Sequence, residues 1–362
     1  MKSTNGREDS TRTDWSRPIA KILFGKDNAG ILVSSEAELE SLLGQAKANK
    51  ASARILPKTE TRDTATLTRL ETARAEAGNR LQDAMQLLNQ TQKLCLDANI
   101  PYAVIKSLDA VPDIGHDVDL LVGKNLQSIR SKLLERFQCE TVTLTFCDRH
   151  AGKFSTFVRG FDSDFELYTR VSQLGEEYYP EEHVLHRRGE ESVLGSKTYL
   201  CSQEDRLLIT CIHTLYRHGK IRLSDLKVAY DALNSRLDLD IVLGTVESAG
   251  IQRGFAFFLR ILEMMGQEIL GKDLVPREFK DYTDRVLYRD AILKLLLRRI
   301  RPRFPLRVPT TLVLLLFLHK AAADLARNKI GSCLRSSLAP VLLIMDKSIP
   351  LRLQKAISVR IW

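Results

Sequence analysis

Short runs rich in β-branched and aromatic residues gather in one window of this chain, and that gathering decides the fold class. Tyr102–Ile105, Val118–Val122, Thr141–Phe146, Phe154–Arg159 and Phe165–Val171 are short and rich in β-branched and aromatic residues, so they read as strands. Outside the window the apolar spacing is helical. Helices are predicted over 36–49 and 60–98 before it, and over 203–218, 223–234, 239–248, 252–269, 276–301, 309–328 and 335–346 after it. Residues 125–137 read as an amphipathic helix inside the window, and Gly160-Phe-Asp-Ser-Asp164 has hairpin-turn chemistry. Strands gathered in one place with helices on either side predict an α+β protein: a small mixed sheet, N-terminal helices and a helical C-terminal domain. Gly78 is expected to divide the long helical stretch, and the breaker-rich segment 301–309 marks a junction. The expected divisions are a polar N-terminal segment with helices over 1–78, an α/β core over 79–200, a helical domain over 201–300 and a basic, apolar helical tail over 301–362.

Charge is distributed unevenly. The net charge is +9, yet residues 285–362 alone carry 16 Lys/Arg against Asp290, Asp324 and Asp346. A basic tail on a slightly acidic body predicts an anionic partner, either nucleic acid, nucleotide or lipid headgroups, with a solvated helical surface as the alternative. Its apolar runs, Leu312–Leu318, Leu338–Met345 and Leu351–Trp362, fit helices packed on the body or on a second subunit, or a basic amphipathic surface resting on anionic lipid. The six cysteines form no C-x-x-C pair and sit mostly among apolar neighbours, the pattern of buried thiols in a reducing compartment. No segment has the length of a transmembrane helix and the first residues are polar without an apolar signal core, so the expected location is cytoplasmic.

The chemistry is expected at Asp117-Val-Asp119-Leu-Leu-Val122. Residues i and i+2 of a strand project from the same face, so two carboxylates open an otherwise apolar strand side by side. Like charges held this close call for a cation, and hard oxygen ligands suit Mg²⁺ or Mn²⁺. Glu166, between Phe165 and Leu167, is the expected third acid, with Asp164 and Asp162 as backups on the same strand face. Such a trio would hold metal or take the proton of an attacking hydroxyl. No P-loop, G-x-S-x-G or G-x-G-x-x-G pattern offers another chemistry.

The segment Val104–Val122 resembles the polymerase-beta-like nucleotidyltransferase superfamily: an apolar strand, a small turn, a spacer of about ten residues, acid-apolar-acid, then a later third acid. More narrowly it resembles that superfamily's uncharacterised nucleotidyltransferase family, whose first strand ends in Leu-Lys-Gly where this chain reads Ile105-Lys106-Ser107. Glu166-Leu167-Tyr168 stands where the family carries Asp-Leu-His. Glu204–Leu226, with His213, His218, Arg222 and Asp225, is similar to the family's two-histidine helix and the Arg-Leu and Asp that follow it. The resemblance spans roughly residues 80–235. It implies a nucleotidyltransferase core with Asp117, Asp119 and Glu166 catalytic and metal-binding, and Lys106, Ser107 and His218 contacting the phosphates of a nucleoside triphosphate such as ATP. The product would be a nucleotidylated hydroxyl acceptor of unknown identity. Only Ser107 remains of the superfamily's phosphate-binding Gly-Ser turn, which leaves open a catalytically degenerate module that binds nucleotide, nucleic acid or an anionic surface.

On an α-helix, residues five apart point about 140° away from each other, so His213 and His218 are not expected to meet. His213 reads as a satisfied core histidine and His218 as the helix end before Gly219, with contact to substrate or phosphate as the functional alternative. Arg222 and Asp225 are expected to pair and orient that helix.

Overall fold

The computed structural model describes residues 13–25, 30–106, 117–141, 152–161, 164–173 and 176–348. Seven strands make the main sheet: β1 (Ala103–Val104), β2 (Asp117–Leu121), β3 (Cys139–Thr141), β4 (Lys153–Val158), β5 (Asp164–Tyr168), β6 (Gly189–Val193) and β7 (Ser196–Leu200). Their order across the sheet is β6-β7-β1-β2-β5-β4-β3. The β2/β5 and β7/β1 pairs are parallel and the others antiparallel, so the sheet is mixed and the protein α+β. The edge hairpin β6–β7 was not expected, because Gly189–Leu200 is largely polar and carries no clean apolar alternation. The expected strand over 141–146 begins at Cys139 instead, and its continuation past Thr141 lies outside the described residues.

Before the sheet come α1 (Ser16–Phe24), α2 (Glu36–Ala48) and α3 (Thr64–Asp97). Ser35 and Asp63 accept backbone N–H groups at the starts of α2 and α3, the ordinary N-cap bond. Gly78 does not divide the long stretch: α3 runs unbroken for 34 residues. One exposed glycine weakens a helix by only about 1 kcal/mol. That is outweighed by burial of Leu70 and Ala73 on one side of it and of Ala84, Leu87, Leu88 and Cys95 on the other. The latter half of α3 packs with α4 (Leu126–Arg136) over one apolar cluster under the sheet, with Val118, Leu120, Phe165 and Leu167.

After the short α5 (Glu181–Arg187) the chain is helical: α6 (Gln203–Ile212), α7 (Leu223–Leu233), α8 (Leu239–Ser248), α9 (Gln252–Met265), α10 (Arg277–Tyr288), α11 (Ala291–Leu297), α12 (Thr310–Ala326) and α13 (Ile330–Ser348). The single helix expected over 276–301 is two. Asp290 interrupts it, accepting the Leu293 N–H at 2.9 Å as the N-cap of α11 and the Arg253 Nε–H at 2.9 Å. These helices share one core with α1 and α2, a cluster that includes residues from Trp15 to Ala339. Ser16 Oγ donates to the Phe304 carbonyl and accepts its N–H, both at 3.1 Å. Asn49 Oδ1 takes the Leu223 N–H at 3.1 Å, tying the end of α2 to the start of α7. Among the described residues no helix is long and apolar enough to cross a membrane.

Candidate active site

Strand β2 stands in the middle of the sheet, so its acids open onto neighbours on both sides. The parallel register sets Asp117 opposite Asp164 and Asp119 opposite Glu166. Register partners share a face, which brings Asp119 and Glu166 side by side on one surface with Asp117 next along it. Asp117 is half-buried at the strand's start, whereas Asp119 is only 4% exposed. Ser107 and Asp162 lie outside the described residues.

Each inner acid carries an ammonium group. Lys106 follows β1, where the Ile105 N–H donates to the Asp119 carbonyl at 3.1 Å and so fixes the side chain over β2. Its Nζ lies 2.9 Å from Asp119 Oδ1, donates to the Tyr168 hydroxyl at 2.8 Å and sits 4.3 Å from that ring's centre. Lys153 of β4 pairs with Glu166 across the hairpin, and the Tyr168 hydroxyl donates to the other Glu166 oxygen. Arg217 Nη1 donates to the same hydroxyl at 3.4 Å.

The two neighbouring carboxyls are driven apart in acidity. Burial works against ionising Asp119, but the Lys106 charge and hydrogen bond outweigh it and hold this acid below the usual carboxylate range. Burial and then the Asp119 charge raise Glu166, against the pull of Lys106 and Lys153. Burial lowers Lys106 despite Asp119 beside it. The pair therefore favours one firm anion and one acid that holds its proton longer, a division suited to proton transfer.

The wall facing the sheet comes from α6 and its continuation. The helix widens into a π-turn over His213–His218, closed by Gly219 in the left-handed conformation. The expectation that these histidines diverge is corrected here. A π-turn bonds i to i+5 and so brings residues five apart to one side. Their Nε2 atoms are 3.1 Å apart and the rings meet edge to face. His213 lines a small depression with Lys106, Tyr168, Arg170, Ser172 and Arg217. Loss of hydration, then Lys106, His218 and Arg217, keep His213 well below 6.5. His218 has an exposed edge, yet the surrounding protein, Arg217 and Arg222 lower it as well. Lys50, just past α2, adds to the positive field on Asp119 and on both rings. Asp225 accepts the Arg222 backbone N–H at 2.8 Å, and its carboxylate is 3.9 Å from the Arg222 guanidinium, as the spacing anticipates.

The contribution of these histidines to stability should accordingly fall as the medium is acidified. Below pH 6.5 the unfolded His213 takes a proton that the folded one refuses, so the unfolded state gains. At pH 5.5 the loss from one such group is about 1 kcal/mol. Urea midpoints at pH 7.5 and 5.5 measure it, and His213→Gln should fall less than the wild type over that interval.

Lys153, Arg217 and Lys50 were not anticipated. Lys153 is placed by the hairpin register, which sets it opposite Tyr168 and diagonal to Glu166 on one face; counting back from the 160–164 turn reaches it. Lys50 arrives from far away in sequence and leaves no local signal. Three carboxylates on adjoining strands fit a hard divalent cation by donor chemistry. Among the described residues, however, no three His, Cys, Asp or Glu side chains are already gathered as ligands. The ammoniums of Lys106 and Lys153 hold Asp119 and Glu166 instead, and a metal would have to displace Lys106. Comparison of the chain with protein-family models, with curated proteins and with solved structures gave no match.

Proposed function

We propose that this chain is a metal-dependent nucleotidyltransferase, moving a nucleoside monophosphate from a nucleoside triphosphate to a hydroxyl acceptor. The observation that supports it most is the β2/β5 register, which sets Asp119 against Glu166 with Asp117 beside them at the open end of the strand. Asp117, Asp119 and Glu166 would hold Mg²⁺ or Mn²⁺. The metal would supply charge neutralisation at the phosphates and orient the transferred group. Lys106, the cation such a metal displaces from Asp119, is then free for a phosphate oxygen, in the depression that Arg217 and Arg170 also line. Cations gathered there suit a triphosphate as point charges and planar forks. His218 reaches the same rim through His213.

A second reading, a degenerate module that binds nucleotide without turning it over, is favoured by one observation: both inner acids are neutralised by lysines. Titration calorimetry with ATP, with and without Mg²⁺, separates the two. The transferase reading expects binding that tightens with Mg²⁺ and loses about 1–3 kcal/mol in Lys106→Met, the worth of a charge-assisted contact. Binding that ignores Mg²⁺ and weakens steeply with salt belongs to the module. Absence of nucleotide binding under either condition overturns both.

A further inference from the structure

We propose that the outward face of the C-terminal helices docks on an anionic lipid surface. Helices α12 and α13 pack against each other and bury one side: Leu312, Leu316, Phe317 and Ala321 on α12, Ser336 and Ala339 on α13. Their other side is apolar as well. Leu318, Leu325, Ile330, Leu334, Leu338 and Val341 are each at least 50% exposed and recur at helical spacing. Single exposed leucines are ordinary, but successive ones along two joined helices form a patch of the sort that marks an interaction surface.

Charge selects the occupant. Lys329 and Arg335 are exposed within the patch, and Arg289, Lys294, Arg298, Arg299, Arg301 and Arg303 are exposed on the adjoining segment, which meets α12 where His319 Nε2 lies 2.8 Å from Asp290. The acids among these residues are turned inward. Asp290 is held by Arg253 and His319, and Asp324 by Lys320. Over residues 310–342 what faces outward is therefore basic and aliphatic, since Asp324, the acid of that stretch, is buried; on the adjoining segment Lys294 and Arg298 share a depression with Glu268 and Asp284. A second copy of the chain meeting this face with its own would set like charges together. Nucleic acid would satisfy the basic groups but leave the leucines in water, since strand binding rests on aromatic stacking. Anionic headgroups over acyl chains satisfy both at once, with aliphatic side chains entering the interface and Lys and Arg holding the phosphates. No described helix is fit to cross the bilayer, so the attachment is peripheral. This inference stands apart from the transferase reading.

The test is flotation of the full chain with vesicles of phosphatidylcholine alone and of 70:30 phosphatidylcholine and phosphatidylglycerol. Anionic vesicles should carry the protein at least tenfold more effectively. Leu334→Glu/Leu338→Glu should reduce that binding tenfold or more, and Lys329→Glu/Arg335→Glu should weaken it and reduce its salt sensitivity. All four positions are exposed, and unchanged thermal midpoints verify the fold. Failure to float with either vesicle overturns the proposal, as does equal binding to both. A concentration-dependent dimer abolished by the leucine pair assigns the face to self-association. Salt-sensitive DNA binding that ignores the leucine pair, without flotation, assigns it to nucleic acid.

Discussion

Replacing Lys320 with alanine is expected to lower the unfolding free energy by about 3–5 kcal/mol, the usual effect of stranding a buried charge. Lys320 is 2% exposed, and its ammonium is the bond between three parts of the chain. It pairs with Glu176, whose strand (Glu176–Tyr179) runs antiparallel to Val171–Gln173, and, at 2.9 Å, with Asp324 one turn further along α12. Ser336 of α13 donates to Glu176 at 2.8 Å, and Ser332 donates to the same carboxylate. The Tyr178 ring covers the ammonium at 5.2 Å. Without the lysine, two carboxylates face each other out of water with only hydroxyls to solvate them. Denaturant unfolding at pH 7 measures the effect. The triple variant Lys320→Met/Glu176→Gln/Asp324→Asn, which removes all three charges together, should recover most of the loss. A loss under about 1 kcal/mol in Lys320→Ala would mean that water reaches the carboxylates.

On the proposed transferase reading, Asp119→Asn should cut nucleotidyl transfer by a factor on the order of 10²–10³ or more, as removal of one preorganised electrostatic partner does elsewhere. Asparagine keeps the shape and an oxygen able to accept from Lys106, so only the charge is lost. The readout is transfer of label from an α-labelled triphosphate to acceptor, alongside the Mg²⁺ dependence of nucleotide binding. A variant that still transfers at the wild-type rate removes Asp119 from the chemistry. Because the substitution also leaves Lys106 facing a neutral group, the denaturation midpoint belongs in the same experiment. A double variant, Lys106→Met/Asp119→Asn, restores neutrality without restoring the anion.

The acidic cluster was legible because its placement depends on short-range rules. Two residues apart on an apolar strand fixes a face, and an acid between Phe165 and Leu167 on the next arm of a hairpin fixes another. What those rules do not contain is pairing across the chain. Lys106 and Lys153 take the acids because strand neighbours in space supply them, and Lys50 enters from the far end of α2. The histidines were misjudged for a different reason: a local change in helical pitch, from α to π, reverses which spacing brings side chains together. Lys320 was hidden by its company. Within Leu312–Ala323 it looks like the solvated member of an apolar run, and only the arrival of Glu176 makes it internal. Asp290 breaks the helix through a cap bond and holds Arg253 and His319 besides, none of which apolar periodicity registers.

The bond between Ser16 and Phe304 spans 288 residues of chain. On a ribosome, α1 emerges long before the segment that accepts it, and at about 5–20 residues per second the interval is on the order of tens of seconds. For most of that time Ile19, Leu23 and Phe24, buried in the finished protein, lack α7 and the Gly266–Leu270 segment, on which α1 packs. Nascent copies should therefore depend on holding chaperones more than the native protein's stability would imply, and refolding from denaturant should slow more steeply with protein concentration than unfolding does.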